Sequence, residues 1–504
     1  MADFFNRRRF MLAAGASAVA ASLPSRASED AGAVKSWDFE ADVVIVGSGA
    51  AGTSAAIEAR RLGKDTLVLE KLLKRGGSSA MSGGVVYAGG GTELQKACGF
   101  EDTVEEMYNF IVTAGRKYPH LDKIQRYCEQ SIEHFSWLQA MGVSYKASFT
   151  KNKGLPGSDD SLYYSGNELA WPNREKVRPV PRGHVPGYSG WTGGKYLMAS
   201  LHDSADKLGV RFMHSVSCER LIQQSDGRVT GLRVEIDGVV KHVRAKQGVI
   251  LASGGFIHNR EMVKLHAPEL YDCTVPWASP ADLGMGIQMG MGAGGAAVRM
   301  DQGFAILPLY QPEHVLKGII VNRTAQRFIT EESYHAVVGN EICYHQQGQA
   351  YLITDAQSQY GYDDYRVEEI ARAESIAELE LKLSMPTGAL QHSVSYYNEH
   401  ASQGQDPLFF KDKDFLSPLT KPPFIAYDLA ADKAFFTSHT FGGLHTTVEG
   451  EVLDAWGDWV PGLYAAGRTT SGLPTAPYIA SGISLGDCTF FGRQAGKQAG
   501  GAGQ

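Results

Sequence analysis

The chain has 504 residues, with 48 Lys+Arg against 55 Asp+Glu for a net charge of −7, and is 43% hydrophobic and 20% charged. That composition belongs to globular chains, not to disordered or fibrous ones, and the length suits roughly two to four domains with sizeable cores. A mildly acidic balance, with no basic run beyond the N-terminus, argues against a nucleic-acid partner. The six cysteines (Cys98, Cys128, Cys218, Cys273, Cys343, Cys488) show no C-x-x-C and no clustered Cys/His spacing. Zinc ribbons, iron–sulfur ligation and haem attachment therefore lack their ligands, and no metal site is expected. Redox chemistry on this chain needs an organic cofactor.

In chain order, Arg7-Arg8-Arg9 come first, then an apolar small-residue stretch from Met11 to Leu23, then Pro24-Ser25-Arg26-Ala27. This reads as a Tat-type signal peptide over residues 1–27, cleaved after Ala27. The stretch is shorter than the roughly 20 residues that span a bilayer, and the mature chain is expected to carry no integral membrane segment. Tat carriers move folded proteins, so a periplasmic or exported protein that takes up its cofactor before export is the expectation. Without a working signal it stays cytoplasmic.

Ala41 to Val46 is an apolar, β-branched run of the kind a buried parallel strand needs. It leads into Gly47-Ser48-Gly49-Ala50-Ala51-Gly52 and then a helical stretch, Thr53 to Arg60. Gly47 permits the tight turn, Gly49 lets the backbone approach a pyrophosphate, and Gly52 lets helix and strand pack closely. The helix N-terminus offers N–H groups and partial positive charge to phosphates. A second strand, Asp65 to Leu69, ends at Glu70, placed to accept ribose hydroxyls. Lys71 follows, then Gly76-Gly77-Ser78-Ser79 and Ser82-Gly83-Gly84.

Residues 150–195, rich in Gly, Pro, Ser, Tyr and Trp, read as long loops over a cleft. Gly248 to Leu251 is another buried strand, closed by Ala252-Ser253-Gly254-Gly255, and no second complete nucleotide fingerprint follows it. Residues 301–430 lack glycine fingerprints and contain amphipathic helical stretches such as 366–383. Val460 to Gly467 reads as a late strand with a terminal glycine, and Ser481 to Asp487 opens the last helix.

The glycine/serine loop after Glu70 and the late strand ending at Gly467 resemble the phosphate and ribityl contacts of FAD-binding flavoproteins, which implies FAD as cofactor. With Ala281-Asp282-Leu-Gly-Met-Gly286, Gly318-Ile-Ile-Val-Asn322, Arg327-Phe328, Glu331, His439-Thr-Phe-Gly-Gly443 and Ser481-Gly-Ile-Ser-Leu-Gly-Asp487 added, the chain resembles the fumarate reductase / 3-ketosteroid dehydrogenase flavoproteins over nearly all of residues 40–500. The resemblance implies an α/β fold: a Rossmann-like, glutathione-reductase-type FAD-binding domain split over 36–300 and 431–504, with an α+β capping and catalytic domain inserted at 301–430. It implies FAD contacts at the glycine, serine and acidic positions named above, and at Asp282, Gly443, Ser484 and Leu485.

Fumarate-type reductases of that family place an arginine proton donor shortly after the glutamate that Glu331 matches, and a carboxylate-clamping arginine eight residues before the aspartate that Asp487 matches. Here those places hold Glu332-Ser333-Tyr334-His335 and Ile479. Both losses favour a neutral, steroid-like ketone over a dicarboxylate, although Arg174, Arg178 and Arg182 keep a loop-borne carboxylate clamp open. The residues retained resemble the 3-ketosteroid dehydrogenases, particularly those acting at C4–C5. That resemblance makes Tyr334 the capping-domain acid–base tyrosine and puts Tyr478 or Ser481 in the second catalytic position. It places His439 against substrate or flavin, and makes Glu331 an anchor of the capping domain. The implied reaction is α,β-desaturation of a 3-ketosteroid: a hydroxyl and backbone N–H groups near Gly482 polarise the ketone, a tyrosine removes the α-proton, and hydride passes to FAD. A separate electron acceptor or donor is required. Two other readings stay open, a reductase of an α,β-unsaturated carboxylate and a flavin-binding protein with no substrate of its own, and so does C1–C2 against C4–C5.

Overall fold

A computed structural model describes residues 28–501 apart from 116–119, 155, 157–158, 188–191, 310–311 and 361–365; the signal segment at 1–27 lies outside them. Strand β1 (Phe39–Val46), whose Val43, Val44 and Ile45 are fully enclosed, runs through the middle of the main sheet. β2 (Thr66–Leu69) pairs parallel on one side of it, and β3 (Arg211–Met213) pairs parallel with β2. Two antiparallel strands, β4 (Val216–Gln223) and β5 (Val229–Ile236), lead into the front of the long β6 (Val239–Leu251). The back of β6 pairs parallel with β1 and, on its other edge, with the late strand β13 (Trp459–Ala465). The strand order β3-β2-β1-β6-β13 brings the C-terminal ends of β1, β6 and β13 side by side, where α/β sheets bind ligands.

Helix α1 (Ala50–Arg61) leaves the Gly47–Gly52 turn and lies against the last helix, α6 (Ile483–Ala499). The contact is close because α6 carries Gly492 and Gly496 there; a Cβ at either would run into the α1 backbone at Ala51 or Ala55. Antiparallel strands β7 (Gly303–Ile306) and β12 (Thr437–Thr440) form a further short sheet beside this layer.

A separate four-stranded antiparallel sheet is built from β8 (Ile319–Val321), β9 (Tyr351–Thr354), β10 (Glu368–Ala373) and β11 (Phe424–Asp428). Helices α4 (Ile376–Lys382) and α5 (Ala389–Ala401) cover it, and Ile353, Leu379, Leu390, Val394 and Tyr397 make its own apolar core. The single helix expected over 366–383 is therefore a strand followed by a short helix. Pairing with β11 satisfies the backbone of 368–373, and Ser375 caps α4 by accepting the Glu378 N–H at 3.2 Å, so the chain switches at the cap. Helix α3 (His335–His345) begins directly after Tyr334. Among the described residues no helix is long and apolar enough to cross a membrane, and no cluster of three metal-binding side chains is present.

Candidate active site

The turn after β1 opens a cleft along the carboxyl ends of β1, β6 and β13. Gly47 has φ +101°, and a Cβ there would lie 2.5 Å from the Ala252 carbonyl oxygen. Gly52 packs on the Gly47 carbonyl and does not line the cleft. Gly49 differs from both: a Cβ would meet Ser79 Oγ at 3.5 Å and the Gly76 carbonyl oxygen at 3.9 Å, both ordinary contacts, so the protein has room for one and the glycine instead leaves the cleft open. Ala50 and Ala51 carry the helix N-terminus into the cleft, the Ala50 N–H donating to Ser79 Oγ at 3.1 Å. Ser48 and Glu70 hold each other: Glu70 accepts the Ser48 N–H at 3.0 Å and its Oγ–H at 2.6 Å, and takes the Leu72 N–H at 2.8 Å. Lys71 and Gly77 also face the cleft.

The far wall is formed by Ala252, Ser253, Gly254, Asp282 and Gly467. Arg468, which the sequence patterns did not single out, bridges it: Nη1 pairs with Asp282 Oδ2 at 2.8 Å and Nη2 donates to Ser78 Oγ at 3.0 Å. A basic residue directly after the late-strand glycine was the available signal. Cys488 also reaches the cleft. Buried Ser253 Oγ and Asp282 Oδ1 have no hydrogen-bond partner within the protein, and buried polar atoms of this kind need one. An FAD phosphate–ribityl chain fits this lining: helix N-terminus and Arg468 for negative charge, Glu70 for a ribose, and Ser253 and Asp282 for hydroxyls.

The remaining glycine and serine positions are held by contacts within the protein. Gly76 donates its N–H to Ser48 Oγ at 3.3 Å, Ser82 Oγ–H donates to the Ser79 carbonyl at 2.7 Å, and Gly83 and Gly84 pack on Gly193 and Gly194. Gly443 lies against the Thr469 carbonyl, and Leu485 is buried in the α1–α6 core. Ser484 keeps a buried Oγ without a partner, while its N–H is donated to Tyr478.

Three of the four catalytic candidates converge. Tyr334 Oη lies 2.6 Å from Ser481 Oγ, joining residues 147 apart in sequence. The Tyr334 and Tyr478 rings are 6.4 Å apart. Tyr478 Oη accepts the Ser484 N–H at 3.3 Å, at the start of α6, and its own N–H donates to Asn340 Oδ1 at 3.1 Å. Burial raises the Tyr478 pKa, and the hydrogen bonds from Ser484 and Gly482 oppose the rise. Tyr163 is enclosed nearby, and burial raises its hydroxyl, with Ser481 opposing the rise. Phe304 stacks on Tyr478 at 5.4 Å, Phe441 lies tilted against it at 5.2 Å, and His439 meets Phe304 edge-on at 3.7 Å. Burial holds His439 well below its usual pKa, so it is neutral, with Nε2 buried and unpartnered. The result is a flat aromatic wall beside a pair of hydroxyls.

The loop arginines are committed elsewhere. Arg182 is enclosed against Asp102 (2.6 Å), Arg178 pairs with Glu106 (2.6 Å), and Arg174 donates to the Phe410 carbonyl at 2.6 Å. Glu331 accepts Arg327 Nη2 at 2.9 Å, Lys411 Nζ at 3.1 Å and the Ile320 N–H at 3.0 Å, which makes it a structural anchor. Its pKa is lowered overall because those partners outweigh burial.

The FAD binding domain family matches residues 42–485. The chain belongs to that family. It is an FAD-dependent oxidoreductase, and FAD is its cofactor. It is 41% identical to a 3-ketosteroid-Δ4-(5α)-dehydrogenase from Rhodococcus jostii RHA1, solved in complex with 4-androstene-3,17-dione; the match covers 94% of this chain and 99% of that one with a TM-score of 0.88. It is 29% identical over 500 residues to a 3-oxo-5-alpha-steroid 4-dehydrogenase of Comamonas testosteroni, covering 86% of this chain and 93% of the relative. It is 26% identical over 472 residues to a probable fumarate reductase of Shewanella frigidimarina, covering 91% of this chain and 74% of the relative. The resemblance to both branches of the family, read from the motifs, holds.

Proposed function

We propose that this FAD-dependent oxidoreductase is a 3-oxosteroid dehydrogenase that introduces a double bond beside a ketone, at C4–C5. The Tyr334–Ser481 hydroxyl pair against an aromatic wall carries the reading. Tyr478 receives a helix-terminal N–H on its oxygen, which leaves its own proton free for the substrate ketone and lowers the cost of negative charge on the phenol. The polarising role expected of backbone N–H groups near Gly482 thus passes through Tyr478. Ketone polarisation acidifies the neighbouring C–H. Tyr334 takes that proton while its own passes to Ser481 Oγ, and the Ser481 proton leaves to solvent, to which Ser481 is partly exposed. FAD, held by the cleft lining described above, would supply the acceptor for the hydride of the adjacent carbon, and a separate acceptor would then have to remove the two electrons.

Residues 301–430 serve in this reading as a capping domain over a Rossmann-like FAD-binding domain contributed by 36–300 and 431–504. They supply Tyr334, while the FAD-binding part supplies Ser481 and Tyr478. The twin-arginine segment supports export of the folded, FAD-loaded protein. The test is anaerobic mixing of the yellow protein with a 5α-3-ketosteroid and, separately, with succinate. Bleaching of the flavin absorbance by the steroid alone, with a Δ4 product, is expected. Reduction of fumarate or another unsaturated acid, without steroid bleaching, would overturn the reading.

A further inference from the structure

Tyr334 and Ser481 come from segments that share no strand pairing or helix, so something else must set their 2.6 Å separation. The loop Ser165-Gly166-Asn167-Glu168, which sequence patterns marked only as part of a long covering segment, touches both. Its backbone pairs antiparallel with the stretch before α6: the Asn167 N–H donates to the Ile479 carbonyl at 2.9 Å, and the Ser481 N–H donates to the Ser165 carbonyl at 2.8 Å. Ser165 Oγ–H also donates to the Ser481 carbonyl at 2.9 Å. The same loop reaches the other partner through one side chain, Asn167 Oδ1, which accepts the Tyr334 N–H at 2.8 Å.

We propose that Asn167 is a positioning residue that fixes the Tyr334–Ser481 pair, a statement that rests on the catalytic reading of that pair given above. Asn167 is only 5% exposed. Its carbonyl accepts Asn173 Nδ2 at 3.1 Å, and the following Glu168 accepts the Gly166 N–H at 2.8 Å and the Tyr87 hydroxyl at 3.1 Å. The loop is thus braced on the side away from the site, and Gly166 permits the approach, since a Cβ there would collide with Ala480 and Ile479. Tyr334 stands at the N-cap of α3, and its own N–H is taken by Asn167 Oδ1, so this acceptor from outside the helix governs where its backbone, and then its hydroxyl, sits. Displacement of a reacting group by an ångström is enough to cost about 100-fold in rate.

Holoenzyme carrying Asn167→Ala is expected to keep the FAD spectrum and to bind a 3-ketosteroid within about 3-fold of wild type, while flavin bleaching slows by at least about 10-fold. Asn167→Asp retains an acceptor toward the Tyr334 N–H and is expected to recover part of the rate. Amide hydrogen exchange over residues 330–337 is expected to accelerate in the alanine variant alone. Bleaching within 2-fold of wild type, unchanged exchange at 330–337, or loss of FAD together with rate would each overturn the proposal. If wild type itself is not bleached by the steroid, the catalytic reading fails, and the exchange comparison still decides whether Asn167 holds Tyr334. Should the alanine variant not fold, Asn167→Ser, whose shorter side chain does not reach, replaces it.

Discussion

A tyrosine is a poor base at neutral pH because its ordinary pKa is about 10. In the proposed reaction Tyr334 answers this with a second oxygen, Ser481 Oγ at 2.6 Å, that can take its proton as the substrate proton arrives. Tyr334→Phe removes the acceptor while keeping the ring that packs beside His335 and Tyr478. FAD absorbance should be unchanged and steroid-dependent flavin reduction should fall by more than about 100-fold, the usual size of an acid–base contribution. Near-normal reduction would remove Tyr334 from the mechanism. Ser481→Ala should cost less in rate and should move the alkaline limb of the rate–pH profile, because Tyr334 then loses its relay partner but not its own oxygen. An unmoved profile would argue that Ser481 only packs.

The glycine turn shows two kinds of constraint in one element. Gly52 sits on the Gly47 carbonyl, so Gly52→Ala strikes backbone and should destabilise the apoprotein by roughly 2 kcal/mol or more. Gly49→Ala meets a serine oxygen and the Gly76 carbonyl, both at ordinary contact distance, so the apoprotein should melt within a degree or two of wild type while FAD affinity falls at least about 10-fold. Apoprotein melting with FAD titration separates the two, and equal effects in both variants would refute the distinction. The turn was legible because strand, glycines, helix and acid follow one another along the chain, and local order is what periodicity and turn chemistry report. Tyr334 and Ser481 were reachable through motif resemblance. Asn167 was not, since it acts on partners from distant segments and no local pattern says which loop asparagine the fold will bring there; Arg468 stood directly after the late-strand glycine, but its partners Asp282 and Ser78 are far away in sequence. The split at Ser375 was missed for a related reason: a seven-residue helix and an edge strand together imitate one helical period, and only pairing with β11 separates them.

Across the whole molecule, buried titratable groups oppose one another in pH. Burial raises Glu168 to about 7 and Asp487 to about 6, although Arg182 and Lys123 pull the other way. Both carboxyls bind protons more tightly folded than unfolded, so their contribution is fully present near pH 4 and is lost as pH rises through 6 and 7. His184 is held down to about 4 and His134 well below its usual value by burial, His134 also by Arg493. Arg493 Nη1 can only donate, so His134 Nδ1 must be unprotonated to accept from it, while His184 gives its Nδ1–H to the Arg182 carbonyl and in its neutral form accepts the Thr92 hydroxyl on Nε2. For these histidines the unfolded chain protonates first, so stability is lost as pH falls from about 6.5 toward 4. At about 1.4 kcal/mol per tenfold change in proton affinity, Glu168 and His184 each contribute on the order of 3 kcal/mol with opposite slopes between pH 4.5 and 6.5. Glu168→Gln deletes one side of that balance. It still offers one acceptor to Tyr87 or Gly166, and its melting temperature should gain on wild type by a few degrees as pH rises from 5 to 7.5. Melting curves that stay parallel over that range would mean that Arg182, facing Glu168 with Tyr87 and Tyr163, already keeps the carboxylate ionised in the folded protein.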